Sequence, residues 1–319
     1  MHEQVLSRNR VHAKSLSRLY VQALAGFAKL RAPTREVPMA ISPTARRRRL
    51  GIELRRLREA AGLNGTDVAA ALGWSGTKVS RIETGRVSVH HGDVGDLLDH
   101  YKVTDDTLRQ ELITLARESR QKGWWHRHRD TLKAGFDSYI GLEADAATIR
   151  TYEAQVIPGL LQTEAYARAV IEATVRKPNT AYVEEKADVR LARQQLLTRD
   201  VPIHLHAVLD QAVLMREVGG TTTMSDQLAF LLQRSKLPNI TIQVLPFKQG
   251  AHPAIDGPFV ILEFPNPVDP ALVYIEQAIS GLVLEEAEEL AEYSWMFNNL
   301  ITQSLTAEES AILISSMID

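Results

Sequence analysis

The chain contains no cysteine. That absence excludes disulfides, thiolate zinc sites, iron–sulfur ligation and a cysteine nucleophile, and it suits a reducing cytoplasm. No apolar run of about eighteen residues occurs, so no helix is expected to span a bilayer. The runs that carry common chemistries are missing too. There is no His-Glu-x-x-His zinc run, no Gly-x-x-x-x-Gly-Lys phosphate loop and no Gly-x-Ser-x-Gly nucleophile elbow. His126-x-His128 sits among charged neighbours and, like His204-x-His206, lacks a thiol or a comparable ligand spacing. No metal, cofactor or enzymatic activity is therefore expected.

What is present is an ordinary globular composition with unevenly placed charge. Of 319 residues, 45% are hydrophobic and 24% charged, enough chain for two domains with substantial cores. Residues 1–88 hold 17 Lys and Arg against 6 Asp and Glu, and the remainder holds 20 against 33. A basic front and an acidic back suit a polyanion-binding module joined to a partner- or ligand-binding one. Residues 1–38 are poor in acid, and their apolar stretch Leu19–Phe27 is short and flanked by charge, unlike a secretory signal. MAISPTARRRRLG (Met39–Gly51) reads as a natural start. Residues 1–38 are thus expected to lie outside the folded core, and residues 1–45 to form a flexible extension.

From Arg46 the apolar spacing becomes helical. Leu50, Leu54, Leu57 and Ala61 form one buried stripe, and Gly62 is placed to end the helix in a left-handed conformation. Asn64 or Thr66 can cap a second helix carrying Val68, Ala69 and Leu72, which Gly73 ends. Ser75 can cap a third, with Val79 and Ile82 inward and Gly85 at its end. Small residues at Ala69 and Gly73 are expected to let the two short helices cross closely. Val94, Leu97, Leu98 and Tyr101, then Leu108, Leu112 and Leu115, supply two further stripes. A five-helix domain is expected over residues 46–117.

GLNGTDVAAALGWSGTKVSRIETG (Gly62–Gly85) resembles the Cro/CI-repressor, or Xre, helix-turn-helix family in its Ala69–Gly73 spacing, inward Val79 and Ile82, and Arg81–Gly85 ending. The resemblance implies that the third helix enters the major groove of double-stranded DNA with its first residues at base edges. Gly76, Thr77 and Arg81 then fall at base-reading positions. Arg81 would fork onto a guanine, and Thr77 would touch a thymine methyl or a phosphate. Lys78 and Ser80 fit backbone contacts, which position without reading sequence, although Lys78 reads equally as a solvated charge. Asn64 lies where the family holds a phosphate, and Thr66 and Ser75 join these DNA-facing positions. Arg58 and Glu83 match a family ion pair between the first and third helices. Gly65 departs from the Gln many members carry, and Gly76 offers no side chain. So sparse a face is expected to lean on the basic run Arg46–Arg49, with Arg46 and Arg47 at phosphates or in the minor groove, or on a homodimer.

Residues 122–319 change texture. A helix is expected over Leu142–Tyr152 and another after Thr163, and Val201–Leu209 alternates like a strand with Asp210 capping the helix beyond. Ile240–Phe247, Phe259–Phe264 and Leu272–Gln277 read as further strands. Helices follow over Glu285–Ser304 and from the Thr306-x-x-Glu309 capping box. The fold class expected is multidomain, a helical domain followed by a larger α+β domain with a small sheet and C-terminal helices. His204 and His206 on a polar sheet face, with Tyr274 or Glu276, form a candidate ligand pocket.

Trp124–Trp125, Ser138–Ala146, Val156–Arg168, Val208–Gly220, Asn239–Phe247 and Gly257–Phe264 resemble the domain of unknown function attached to actinobacterial Xre regulators of the WhiJ or antitoxin-like type. Gln211, where members often have Glu, and Ala278–Leu284 depart from that pattern. The resemblance implies a small protein encoded nearby as a partner. The reading is a cytoplasmic, sequence-specific transcriptional regulator whose second domain senses a partner protein or ligand. The alternative is an antitoxin-like interaction module with DNA binding secondary.

Overall fold

Helix α1 (Pro43–Ala60) in the computed structural model places Leu50 and Leu54 in full burial, with Leu57 packed beside them. Each such leucine contributes roughly 2 kcal/mol of apolar burial. The structure describes residues 43–121, 123–176, 179–266 and 269–318. Expectations for residues 1–42 lie outside the described residues.

Gly62, at φ +71°, ends α1. The Asn64 side chain caps α2 (Gly65–Ala71) by accepting from Asp67 N–H at 2.8 Å. Gly73 at φ +66° turns the chain into α3 (Gly76–Glu83). A β-carbon on Gly73 would meet no atom within 4 Å, so the glycine supplies the left-handed turn and not the close crossing expected of it. Close approach occurs elsewhere: a β-carbon at Gly51 would overlap the carbonyl oxygens of Ile82 and Glu83, which brings α1 onto the end of α3. Helices α4 (His91–His100) and α5 (Asp106–Glu118) close a core built on Val68, Val79, Ile82, Val94, Leu98 and Leu112.

The second region is α+β. After α6 (Phe136–Asp145) come β1 (Thr148–Glu153), α7 (Glu164–Thr174), α8 (Thr180–Arg193), β2 (His204–Asp210), α9 (Gln211–Met215), α10 (Thr221–Arg234) and β3 (Ile240–Leu245). β4 (Phe259–Glu263), β5 (Leu272–Glu276), β6 (Gly281–Leu284), α11 (Ala287–Gln303) and α12 (Ala307–Ser315) complete it. The six strands order as β3-β2-β1-β4-β5-β6, with β1, β2 and β3 parallel and the rest antiparallel to their neighbours. Successive strand residues point to opposite faces. Ile149, Leu205, Leu262 and Tyr274 therefore share the face that packs with α6, α7 and α10, while Tyr152, Val208, Ile261 and Val273 meet Phe297 and Leu300 of α11.

The helix expected over Leu142–Tyr152 is corrected. Helix α6 stops at Asp145, and Thr148–Glu153 becomes the central strand β1, paired on both sides. Three alanines at 144, 146 and 147 favour a helix locally, but the β-branched and aromatic Thr148, Ile149, Thr151 and Tyr152 fit a strand covered on both faces.

Candidate nucleic-acid interface and internal cavity

The inner face of α3 buries Val79 and Ile82, and its outer face leaves Gly76, Thr77, Ser80 and Arg81 exposed. Arg58 anchors the helix from behind. Its Nε donates to Glu83 Oε1 at 2.7 Å, its second nitrogen to Oε2 at 3.0 Å, and its third to Leu63 O at 2.7 Å. These charge-assisted bonds raise the Arg58 pKa, the Glu83 hydrogen bond most of all. Ser75 holds the N-cap position without a side-chain cap bond, which leaves its hydroxyl exposed beside the helix N-terminus. Arg81 makes no ion pair among the described residues, so its guanidinium is free to reach a base edge. Gly76 opens onto empty space within 4 Å of where a β-carbon would lie.

The other candidate residues are more committed. Lys78 lies 3.6 Å over the Trp74 ring and 2.8 Å from Asp93 Oδ2, a half-exposed arrangement that draws it away from the outer row. The Asn64 amide donates to Asp67 Oδ2 at 2.6 Å in addition to capping α2, while Thr66 is exposed in the first turn.

The run Arg46–Arg49, expected at phosphates or in the minor groove, has side chains tied within the protein. It forms the second turn of α1, packed between the helical core and the sheet domain. Buried Arg46 pairs with Glu118 at 3.3 Å. The half-buried Arg47 donates to Thr44 Oγ1 at 3.2 Å, and burial lowers its pKa against the opposing charge of Asp137. Arg48 stacks over Phe264 at 5.0 Å and donates to Glu285 and to Pro270 O. Helix formation turned these side chains to opposite sides, and two became ties within the protein. Sequence periodicity offered no signal for this, because the partners lie 72 to 237 residues along the chain from their arginines.

The candidate pocket of His204, His206, Tyr274 and Glu276 does not assemble. In register, His206 lies beside Arg150 and Ile261 on the α11 face, whereas Tyr274 lies beside Val260 and Thr151 on the other. His206 bonds Gln243 Oε1 at 2.7 Å and meets Phe297 edge-on, and burial lowers its pKa. His204 is exposed at the start of β2. Tyr274 stacks on Tyr139 at 4.2 Å, and Glu276 pairs with Lys133 at 2.6 Å.

On the Tyr274 face, at the carboxyl end of β1, lies a cavity of about 820 Å³. Tyr139, Ile149 and Tyr274 contribute to its wall, as do Glu153, Arg190 and the segment Val156–Leu160. In its wall, Arg193 makes a bidentate, buried pair with Glu143 at 2.7 and 2.6 Å. Burial and the nearby Glu276 push the Glu153 carboxyl up to about 8, against the Thr151 hydroxyl and Arg190. Burial, with Arg193 beside it, pulls Arg190 down to about 10. The sequence did not single out either residue: both are ordinary charges until the sheet and α8 enclose them. Among the described residues, no group of three or more His, Asp or Glu is placed to hold a metal ion. No helix among them is long and apolar enough to cross a membrane.

Residues 136–316 match the family described as Domain of unknown function (DUF5753), and residues 49–112 match one described as Helix-turn-helix domain. No curated protein and no solved structure gives a match.

Proposed function

The chain belongs to the DUF5753 family, and from that premise we propose that it is an Xre-type, sequence-specific transcriptional regulator of the cytoplasm, not an enzyme. The observation that carries this reading is α3, whose inner face is locked by Val79, Ile82 and the Arg58–Glu83 pair while Arg81 faces solvent without an ion pair among the described residues. The outer row is short of side chains at Gly76, and Arg46 and Arg48 are engaged within the protein. Two reading heads in a homodimer would compensate for so sparse a face. The second domain is read as the sensor of a ligand or a small partner protein. Arg48 of α1 is gripped by Glu285, just past β6, and β6 pairs with the cavity-lining strand β5. Occupancy of the cavity can therefore bias the reading head if the ligand prefers one arrangement of the two.

Fluorescence titration of the chain's own promoter against scrambled DNA, over a salt series, tests the reading. Arg81→Ala is expected to cost about 1–3 kcal/mol and to flatten the preference, and Lys78→Ala to cost less. Equal binding to both DNAs, unchanged by Arg81→Ala, would sink it. The antitoxin-like reading has one observation of its own: Ile279, 84% exposed, with Leu282 and Val283, leaves an apolar edge on β6. Co-purification with the product of an adjacent small gene would favour that reading.

A further inference from the structure

Four ionic side chains around the sheet cavity are engaged with one another, Glu143 with Arg193 and Glu276 with Lys133. Of the other four, Lys186 lies over the Tyr182 ring at 4.7 Å and Asp256 is exposed, which leaves two ionisable groups of opposite type, Glu153 and Arg190. Glu153 has no ion pair among the described residues, and its one hydrogen bond there is a 3.5 Å contact from the Thr151 hydroxyl. Arg190 donates to Gln162 Oε1 at 2.9 Å and has no carboxylate partner among the described residues. Both line the same chamber without pairing with each other. Withdrawing a charge from water is costly unless it is paired. Much of the remaining wall is aromatic and aliphatic, including stacked Tyr139 and Tyr274 with Ile149. A volume of about 820 Å³ is of the size that holds a small organic molecule.

We infer that this chamber binds a small zwitterion with an apolar body, of the amino-acid or short-peptide class, its ammonium on Glu153 and its carboxylate on Arg190. The inference rests on the reading of the second domain as a sensor. A cation alone leaves Arg190 unpaired, an anion alone leaves Glu153 unpaired, and a neutral apolar molecule leaves both. The raised Glu153 and lowered Arg190 pKa values are what two partly buried ionisable groups without ionic partners should show, and a zwitterion would return both toward ordinary values.

Isothermal titration calorimetry of the full chain tests this with three probes that share one body: L-leucyl-L-phenylalanine, its C-terminal amide and its N-acetyl derivative. The zwitterion is expected to bind, and each single-charge analogue to bind about tenfold or more weakly. Glu153→Gln should weaken the dipeptide and the amide but leave the N-acetyl form unchanged. Arg190→Gln should weaken the dipeptide and the N-acetyl form but leave the amide unchanged. Equal affinities across the three probes overturn the inference, and so does the absence of binding by all three. The analogue series uses the unaltered chain, so a variant that fails to fold does not blunt the result. DNA titration of the same preparation separates the two readings. Specific DNA binding without ligand heat removes the zwitterion site alone, and ligand heat without specific DNA binding removes the regulator.

Discussion

The helix-turn-helix domain turns its uncommitted polar side chains outward, on α3, while the sheet domain turns two of its own, Glu153 and Arg190, into a chamber. The difference follows from what lies behind each element. Helix α3 rests on a single core, so one of its faces must stay wet; β1 is central and covered on both faces, so the carboxyl at its end is partly buried. An outward row can meet a polymer larger than the domain, and a chamber only something smaller than itself. The two Arg–Glu pairs repeat the contrast. Arg58–Glu83 keeps 12% and 8% of its side chains exposed, Arg193–Glu143 only 7% and 0%.

The enclosed pair offers the strongest way to break that contrast. Glu143→Ala strands the Arg193 guanidinium in the interior and is expected to cost about 3–5 kcal/mol in urea denaturation. Glu83→Ala, with solvent nearer, is expected to cost about 1–3 kcal/mol. A reversed order would mean that the sheet domain encloses its charges no better than the helix-turn-helix domain does.

The next effect is pH-dependent. With its folded-state pKa at about 8, Glu153 keeps its proton in the native chain across a window where the unfolded chain has lost it. Wild-type stability should therefore fall as pH rises from the ordinary carboxylate range toward 8. Glutamine cannot ionise, so Glu153→Gln should gain on wild type between about pH 5 and about pH 9, by on the order of a few kcal/mol. Melting temperatures of both proteins across that range measure it, and a constant gap would place Glu153 in water.

The smallest effects lie inside the helix-turn-helix domain. Gly51→Ala pushes a methyl into the end of α3 and should cost about 1–3 kcal/mol. Gly76→Ala meets open space and should be neutral or stabilise by up to about 1 kcal/mol, while changing the surface offered to DNA. Paired thermal melts compare the two, and equal costs would mean that α1 and α3 are not in close apposition.

Legibility differed between the regions for a physical reason. In the helical domain the information is local. Leucine spacing, the Asn64 cap and the left-handed glycines 62, 73 and 85 all act within a few residues, and the helices lie where those signals point. The α+β class, strands β2 to β5 and the Thr306–Glu309 capping box were legible in the same way. Strand β1 was not, because its alanine-rich approach argues for helix and only its neighbours β2 and β4 supply the ladder that makes it a strand. Strand β6 was missed as well: it is four residues long at the sheet edge, with little alternation to read.

Residue types and their spacing thus sufficed for the helix-turn-helix, the class of both domains and the exposed row of side chains on α3, because each depends on contacts close along the chain. Packing assigned Arg46 and Arg48 to internal ties, placed His206 and Tyr274 on opposite faces of one sheet, and left Glu153 and Arg190 facing a shared chamber. Those outcomes depend on register and on partners distant in sequence, which the chain acquires only when its layers close on one another.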